Sequence, residues 1–312
     1  MQNSFGFTLI VPVHNEEENL QENVEKLMQY ANGITDNYEI LISENGSVDN
    51  TLHIAKKLAK NYANISFTSL PFASLGTAIK KGIYSSKYGK TIYFPLDLSV
   101  NLSFIDESIR LLDEYDVVTG SKRLGRGFDG RSILRTVPSR IYHFLVRKLF
   151  SLSLSDTTCV KGFRKDAISK LLNRIPGSSN IFETELLIEA EKEGYRIKEI
   201  PVVVKEFRPS REGLFRKIGR KLEDLLSIRL DMISLVIGVS LLVMGSIMMF
   251  YLIYEKVFVT KEAGFLDPYS FLVSMLLIIS GFQLSIFGLS AGLLLQIRKE
   301  MIRTFELQEK SK

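Results

Sequence analysis

A single carboxylate, Asp97, follows the short apolar run at residues 92–96. A continuous apolar run of this length is typical of a strand that is buried on both faces of a parallel sheet. Open α/β sheets bind their ligands at the carboxyl ends of such strands. Asp97 is therefore the first candidate for chemistry, and a turn aspartate after a core strand is the structural alternative.

Two more polar turns follow apolar runs earlier in the chain. The turn at residues 14–19 follows the run 7–13, and the turn at residues 44–51 follows the run 38–43. Each turn leads into apolar residues spaced as on one face of a helix, and Asn15 fits a helix cap. Two strand-turn-helix units in succession predict a parallel α/β sheet.

The remaining soluble elements are predicted from the same periodicities. The first helix, at residues 17–30, places Leu20, Val24, Leu27 and Met28 on one face. Further strands are expected near residues 64–69, 116–123 and 195–204, and further helices after Ser74 and at residues 135–152 and 182–194. Residues 125–132 are rich in glycine and arginine and are expected to form a loop.

The last third of the chain predicts a membrane module. Residues 231–254 and 269–297 are almost free of charge, and each is long enough to cross a hydrocarbon core, which takes about 20 residues. The segment 205–230 alternates basic and apolar residues, which favours a helix in the headgroup region over a solvated helix packed on the domain. The expected organisation is a catalytic domain at 1–210, an amphipathic helix at 211–230 and a two-helix hairpin at 231–312.

Charge placement predicts the topology of that module. The net charge is only +5, but basic residues lie just before the first span and just after the second. This pattern favours a membrane surface over nucleic acid, and it predicts that the domain and both termini are cytoplasmic. The lone cysteine, Cys159, excludes an internal disulfide, and no signal peptide is expected.

Three glycines in the second span would let another helix approach closely. Gly281, Gly288 and Gly292 are spaced along one helix with serines between them. Small residues of this kind are typical of helix interfaces in membranes. The pattern predicts association through this module, with a homo-oligomer as the expected assembly.

Motifs that fall into five groups along the chain resemble glycosyltransferase family 2 enzymes of GT-A fold, particularly the polyprenyl-phosphate sugar synthases such as dolichyl-phosphate mannose and glucose synthases. The resemblance covers about the first 210 residues. The motifs are Val11-Pro12-Val13-His14-Asn15-Glu16-Glu17, Glu44-Asn45-Gly46-Ser47, Leu75-Gly76-Thr77-Ala78, Asp97-Leu98-Ser99, Gly120-Ser121-Lys122-Arg123, Asp156-Thr157-Thr158-Cys159-Val160-Lys161-Gly162-Phe163-Arg164 and Phe182-Glu183-Thr184-Glu185-Leu186.

The resemblance implies a nucleotide-sugar site at the first four motifs. The first two motifs depart from the family pattern at three residues: His14 stands where tyrosine is common, and Glu44 and Asn45 replace two aspartates. A carboxylate at the second motif can accept from a ring N–H of uracil or guanine. The implied nucleotide-sugar ligands are Pro12, His14, Glu16, Glu44, Asn45, Gly76, Leu96, Asp97 and Ser99.

The resemblance also implies a divalent metal ion, Mg²⁺ or Mn²⁺. The family usually has Asp-X-Asp where this chain has Pro95-Leu96-Asp97. Proline offers no side-chain ligand, so Asp97 is the one carboxylate left for the metal. Mg²⁺ is often held by one or two carboxylates together with substrate phosphates and water.

Basic residues are implied to bind the phosphates of donor and acceptor. Cations at these positions would neutralise a leaving nucleoside diphosphate, although a basic surface that faces the membrane would use the same residues. The implied catalytic residues are Asp97, Asp156 and Arg123. The implied phosphate and acceptor ligands are Lys122, Arg123, Arg135, Ser139, Lys161 and Arg211.

The resulting hypothesis is inverting transfer of one sugar from a nucleotide-diphosphate sugar to a polyprenyl phosphate at the cytoplasmic face of a lipid bilayer. Two alternatives stay open. One is a glycolipid synthase that acts on a lipid hydroxyl and needs Asp156 as a base, and the other is a non-catalytic membrane scaffold of the same fold. Processive polysaccharide synthases use a Gln-x-x-Arg-Trp segment, and this chain has no tryptophan.

Overall fold

The computed structural model describes residues 6–124, 152–177, 181–204, 214–260 and 268–310. The predicted basic loop at 125–132, most of the predicted helix at 135–152 and the start of the amphipathic segment lie outside these residues. The chain divides into two compact units, Met1–Gly219 and Arg220–Lys312.

The first unit is built on one sheet, of which the described residues form seven strands. Their spatial order is β3-β2-β1-β4-β6-β5-β7. The first four strands are mutually parallel, β6 runs antiparallel to both of its neighbours, and β5 and β7 are parallel. The bounds are β1 Phe7–Val13, β2 Tyr38–Asn45, β3 Ile65–Leu70, β4 Lys90–Tyr93, β5 Val117–Ser121, β6 Lys161–Arg164 and β7 Ile197–Pro201. The predicted mostly parallel α/β sheet is confirmed.

The described residues form six helices that cover this sheet. Their bounds are α1 Leu20–Asn32, α2 Thr51–Asn61, α3 Leu75–Ser85, α4 Ser103–Leu111, α5 Lys165–Leu172 and α6 Phe182–Lys192. In α1, Leu20, Val24 and Leu27 of the predicted stripe are buried, Ala31 extends the stripe, and Met28 is partly buried against the same core. Every residue of β2 is buried, which is the pattern of a strand covered on both faces.

Strand β4 ends earlier than its apolar run suggests. The ladder with β1 stops at Tyr93, and the amide of Phe94 makes one more bond to the carbonyl of Ile10 at 3.0 Å. Pro95 has no N–H and cannot extend the ladder, so the chain leaves the sheet there. Asp97 therefore lies in a turn beyond the strand and not at its last residue.

The second unit contains two long apolar helices. Helix α7 spans Leu214–Tyr254 and continues as a π-helical segment at Glu255–Thr260, and α8 spans Pro268–Lys310. Their stretches Leu230–Val259 and Pro268–Ile297 have mean hydropathies of 2.4 and 2.1, and both are long enough to cross a membrane. These helices support membrane anchoring, and the sidedness predicted from charge stays a prediction.

Glycines bring the backbones of α7 and α8 into direct contact. A Cβ added to Gly281 would lie 2.5 Å from the amide nitrogen of Leu242, and one added to Gly238 would lie 2.6 Å from that of Ser285. A Cβ added to Gly288 would lie 2.7 Å from the carbonyl oxygen of Asp231 and 2.8 Å from the amide nitrogen of Leu235. The glycines predicted to admit another helix thus contact the first span of the same chain. They lend no support to the expected homo-oligomer.

We expect Gly281→Ala to destabilise the α7–α8 pair by about 1–3 kcal/mol, because its methyl group would meet backbone that cannot move aside. Gly292→Ala in the same helix is the matched control, since its methyl group would come no nearer than 3.3 Å, to the side chain of Asp231. Heat-induced loss of helical circular dichroism in one detergent measures both variants. Equal midpoints would contradict the glycine contact.

Candidate active site

Two polar turns, at residues 14–19 after β1 and 44–51 after β2, are joined by hydrogen bonds. Asn15 has φ of 52°, a left-handed conformation that asparagine tolerates. Its amide donates to Oγ of Ser47 at 3.1 Å, and its Oδ1 accepts from the amide of Val48 at 2.9 Å. The amide of Glu16 donates to Oγ1 of Thr51 at 2.8 Å. Asn15 therefore fastens the neighbouring turn; it is not the cap of α1, which begins at Leu20 after Asn19.

His14 lies at the mouth of this pair of turns with an exposed ring. Nδ1 of His14 donates to the carbonyl of Asn45 at 2.8 Å, and Nε2 is 3.3 Å from Nδ2 of Asn15. A carbonyl can only accept and an amide nitrogen can only donate, so these contacts select the neutral tautomer with the proton on Nδ1. The ring is thus fixed in place with one face open to solvent.

Glu44 is buried, although the sequence predicted that its carboxylate would contact the nucleobase. It is 1% exposed, and its carboxylate accepts from the amide of Ser47 and the hydroxyl of Ser69. These bonds tie the β2–α2 turn to β3 from a buried position. The carboxylate expected to read a nucleobase is therefore engaged inside the protein.

Asn45 faces the segment that joins β3 to α3. Its Oδ1 accepts from the amide of Ser74, and Ser74 caps α3 by accepting from the amide of Thr77. Gly46 has φ of +64°, and a Cβ there would lie 2.5 Å from the backbone of Phe72. The β2–α2 turn and the β3–α3 connection are consequently packed backbone to backbone.

Gly76 has a packing role in the structure. A Cβ added to it would lie 2.4 Å from the carbonyl oxygen of Gly177 and 2.5 Å from Cβ of Phe182. The hydroxyl of Ser74 also donates to the carbonyl of Gly177 at 3.1 Å. The first turn of α3 is thus covered by the segment that precedes α6, a long-range contact that the local motif does not reveal.

Asp97 occupies the loop after β4, which a short bridge holds in place. Its Oδ1 accepts from the amide of Ser99 at 3.0 Å, and Leu98 between them has φ of 52°. Val100 then pairs with Val204 beyond the end of β7. Pro12 and Ser99 are partly exposed, as Asp97 is, whereas Leu96 is 4% exposed and packs in the core. A binding role for the Leu96 side chain does not fit its burial.

Asp156 is also an internal carboxylate. It is 2% exposed and accepts from the amide and hydroxyl of Thr158 at 3.0 and 3.2 Å. Its second oxygen is 3.5 Å from the amide of Lys122, which donates to it. Asp156 therefore positions the backbone at the end of β5, where the side chains of Lys122 and Arg123 reach the surface.

Glu199 of β7 holds the loop that carries Asp156. Its carboxylate accepts from the amides of Ser155 and Asp156 and from the Ser155 hydroxyl, at 2.9 to 3.1 Å. Ser155 in turn shares a 2.6 Å hydrogen bond with Ser121. No role was predicted for Glu199 from the sequence. An acidic residue in a strand where polar and apolar residues alternate was the signal that could have identified this contact.

Lys161 is placed inside the domain. Its side chain is 1% exposed, and Nζ donates to the carbonyl of Cys159 at 2.6 Å and to Oε1 of Glu183 at 2.8 Å. The neighbouring Tyr93 is paired with it across β4 and β6, and burial, then Glu183, raise the pKa of that phenol well above its ordinary value. Lys161 thus joins β6 to α6, and a substrate phosphate would have to displace Glu183 to reach it.

The structure brings most of the predicted residues to one edge of the sheet. His14 and Asn45 follow β1 and β2, Asp97 follows β4 on the other side of β1, and Lys122 follows β5. Loops after parallel strands at such a point form the ligand crevice of open α/β sheets. Arg135, Ser139 and Arg211 lie outside the described residues, so their predicted roles stay predictions.

Sequence comparisons place the chain among sugar-transferring proteins. A family model described as Glycosyl transferase family 2 matches residues 8–172. Glycosyltransferase AglD of Haloferax volcanii is 27% identical over 201 residues, which are 62% of this chain and 32% of that protein. Dolichyl-phosphate beta-glucosyltransferase of Homo sapiens is 26% identical over 241 residues, 72% of this chain and 74% of that one. The chain therefore spans about a third of the AglD sequence and about three quarters of the human one.

A solved structure has the same fold. Glucosyl-3-phosphoglycerate synthase from Mycobacterium tuberculosis, crystallised with Mn²⁺, uridine diphosphate and glucosyl-3-phosphoglycerate, gives a TM-score of 0.52 at 17% identity. The match covers 72% of this chain and 80% of that one. The predicted GT-A-like fold is confirmed by this likeness.

We expect Gly76→Ala to lower the free energy of unfolding by about 1–3 kcal/mol, because the new methyl group would overlap Gly177 and Phe182. Gly89→Ala is the matched control, since nothing lies within 4 Å of a Cβ at that position. Thermal unfolding of the two variants in the same detergent gives the comparison. A Gly76→Ala protein as stable as the control would return Gly76 to the list of direct nucleotide ligands.

We expect Cys159 to resist alkylation in the folded protein. Burial raises the pKa of this thiol from 9.0 to about 11, and the side chain is 3% exposed. At pH 8 about one thiol in a thousand would be ionised, against about one in ten for an unperturbed cysteine, so iodoacetamide should react at least about 100-fold more slowly than in denaturant. Mass spectrometry of timed samples measures both rates, and similar rates would contradict the buried position.

Proposed function

The chain belongs to glycosyltransferase family 2 and is a glycosyltransferase, and from this premise we propose that it transfers one sugar from a nucleoside diphosphate donor to a polyprenyl phosphate. The observation that carries the proposal is the position of Asp97. It lies between the two joined turns at His14 and Asn45 and the cationic end of β5. A diphosphate there would have nucleoside contacts on one side and cations on the other.

The donor is proposed to bind across the ends of β1, β2 and β4. The joined turns form a fixed surface, because the Asn15 amide donates to the Ser47 hydroxyl and the Asn15 side chain accepts from the Val48 amide. Such a surface orients a nucleoside without further ordering on binding, which favours affinity. The human relative named for dolichyl phosphate supports the acceptor, since 74% of its length is matched.

The reaction itself needs orientation and charge neutralisation more than proton removal. A phosphate oxygen of the acceptor attacks C1 of the sugar, the bond from C1 to the donor diphosphate breaks, and the electron pair leaves with the nucleoside diphosphate. The configuration at C1 inverts in this single displacement. A phosphate monoester has its second pKa near 6, so the attacking oxygen carries no proton that a base must remove at neutral pH.

Lys122 and Arg123 are proposed to bind the phosphates that meet at this point. Asp156 accepts from the amide of Lys122, and the hydroxyl of Ser121 accepts from the amide of Arg123 at 3.2 Å. Their backbone is thereby fixed while their side chains reach solvent. Cations held at such a position stabilise the charge that develops on a leaving diphosphate.

Asp97 fits a divalent metal ion as a single protein ligand. One of its oxygens accepts from Ser99, and the residue is partly exposed, so the other oxygen can face a ligand. The described residues contain no group of three or more His, Cys, Asp or Glu side chains placed to hold a metal by themselves. Mg²⁺ or Mn²⁺ at Asp97 would therefore depend on donor phosphates and water, and it would neutralise the diphosphate when bound.

The two apolar helices explain how a soluble domain reaches so hydrophobic an acceptor. A polyprenyl phosphate keeps its chain in the bilayer and its phosphate at the surface, so an anchored domain meets it at high effective concentration. We place the domain and both termini on the cytoplasmic side, on the strength of the basic residues that flank the spans.

A lipid hydroxyl is the second candidate acceptor, and the geometry at Asp156 disfavours it. Transfer to a hydroxyl needs a general base within reach of the acceptor proton. Asp156 is 2% exposed and already accepts from Thr158 and Lys122. A carboxylate so engaged is a positioning group, which suits an acceptor that arrives already ionised.

We expect detergent-solubilised protein to make a labelled glycolipid from polyprenyl phosphate, Mg²⁺ and a UDP- or GDP-linked sugar, and Asp97→Ala to lose roughly two orders of magnitude of this activity. Asp36→Ala, which removes an exposed carboxylate before β2, is the matched control. Thin-layer chromatography of the lipid extract measures the product, with diacylglycerol as a parallel acceptor. Full metal-dependent turnover by Asp97→Ala would contradict the metal site, and no product with any donor would contradict the proposed reaction.

A further inference from the structure

Exposed apolar side chains concentrate where the strands end. Among the described residues up to 204, six large apolar side chains are exposed, and five of them follow a strand into a loop or helix start at the candidate site. Single exposed apolar residues are ordinary, but a cluster beside a binding cleft indicates a contact surface. The six are Val48, Phe67, Phe72, Leu75, Leu124 and Val203, of which only Phe67 lies within a strand.

Phe72 lies beside the joined turns. Its side chain is 53% exposed, and its backbone is the part of the β3–α3 connection that packs against Gly46. The ring of His14 is fixed on the same turn, because it donates to the carbonyl of Asn45. An aromatic ring and an imidazole at one cleft mouth are suited to a flat, apolar-faced ligand such as a nucleobase, and stacking of this kind tolerates any base.

The hydrogen-bonding groups at the end of β2 determine which edge of a base can be bound there. The Glu44 carboxylate is engaged by Ser47 and Ser69 and is 1% exposed, so it offers no acceptor to a ligand. The next polar group along β2 is the side-chain amide of Asn45. It is therefore the group left to contact a base edge there.

The orientation of the Asn45 amide follows from its one hydrogen bond. Oδ1 accepts from the amide of Ser74, which fixes Nδ2 on the other side. Within the part of the chain that the structure describes, nothing accepts from Nδ2, and that atom is not among the polar atoms that are both fully buried and unpaired. Asn45 as a whole is 7% exposed, so the opening to solvent at Nδ2 is narrow, and the group that it offers to a ligand is a hydrogen-bond donor.

We propose that the Asn45 amide contacts the base of the nucleotide sugar as a hydrogen-bond donor and that the base stacks on Phe72. The site then does not discriminate between bases that carry a ring N–H and bases that do not. The inference rests on the proposed use of a nucleoside diphosphate donor. A hydrogen-bond donor such as the Asn45 amide pairs equally with the carbonyl oxygen of uracil and with the unprotonated ring nitrogen of cytosine. A carboxylate would accept from uracil N3–H and reject cytosine, which has no proton there.

The test is isothermal titration of the full-length protein in detergent and Mg²⁺ with two nucleotides of one size, uridine diphosphate and cytidine diphosphate. The wild type should bind both with dissociation constants within about threefold of each other. Asn45→Asp keeps the acceptor for Ser74 and restores a carboxylate, so it should favour the uridine nucleotide by about tenfold or more. Asn37→Asp, which adds the same charge before β2 at the opposite end of that strand, should leave the ratio unchanged.

Phe72→Ala should weaken binding of both nucleotides by about fivefold or more without changing their ratio, because stacking is lost equally. Phe67→Ala is its control, since Phe67 is 36% exposed but lies on β3 away from the turns. A wild-type preference of tenfold or more for the uridine nucleotide, or an unchanged ratio in Asn45→Asp, would overturn this inference alone. Binding of guanosine diphosphate alone, titrated in the same way, would also overturn this inference. Failure of all three nucleotides to bind the folded protein would overturn the proposed donor as well.

Discussion

The candidate site depends on carboxylates that accept from backbone amides at the points where strands leave the sheet. A buried N–H that leaves the ladder needs another acceptor, and each loop at this edge has one. Glu44 serves the β2–α2 turn, Asp156 and Glu199 serve the loop beside β5, and Asp97 closes its own turn. The loops are fixed because a charged acceptor bonds more strongly than a neutral one.

This arrangement also decides the charge that a substrate meets. Donor and acceptor of the proposed reaction are both phosphate anions, and exposed carboxylates beside them would repel both. Glu44 and Asp156 are 1% and 2% exposed, with their charges balanced by amide and hydroxyl donors. Asp97 differs because it is partly exposed, and it suits a metal ion that carries the opposite charge. Among the described residues, carboxylates that look catalytic by type therefore divide into internal acceptors and Asp97, the proposed metal ligand.

Elements with a strong hydrophobic period were predictable from sequence, and long-range polar contacts were not. The stripe of α1 and the buried run of β2 follow from local spacing alone. Burial of Glu44 depends on Ser69, and the tight packing of Gly76 depends on Gly177, 101 positions away. Side-chain type marked both positions as candidates for binding, but only the folded chain shows which partner each one already has. The antiparallel β6 was missed for the same reason, since orientation is set by a distant connection.

The internal carboxylates change how loss of activity should be interpreted in such a site. Removing an acceptor that pairs with buried amides leaves those amides unsatisfied, at about 1–3 kcal/mol each. Glu199 accepts from two amides and a hydroxyl, so its loss would release the loop that holds Asp156 and, through it, Lys122. Activity would fall although Glu199 touches no substrate in the proposed reaction. Asp97 bonds a single amide in a partly exposed turn, so its removal disturbs the fold least and reports most directly on chemistry.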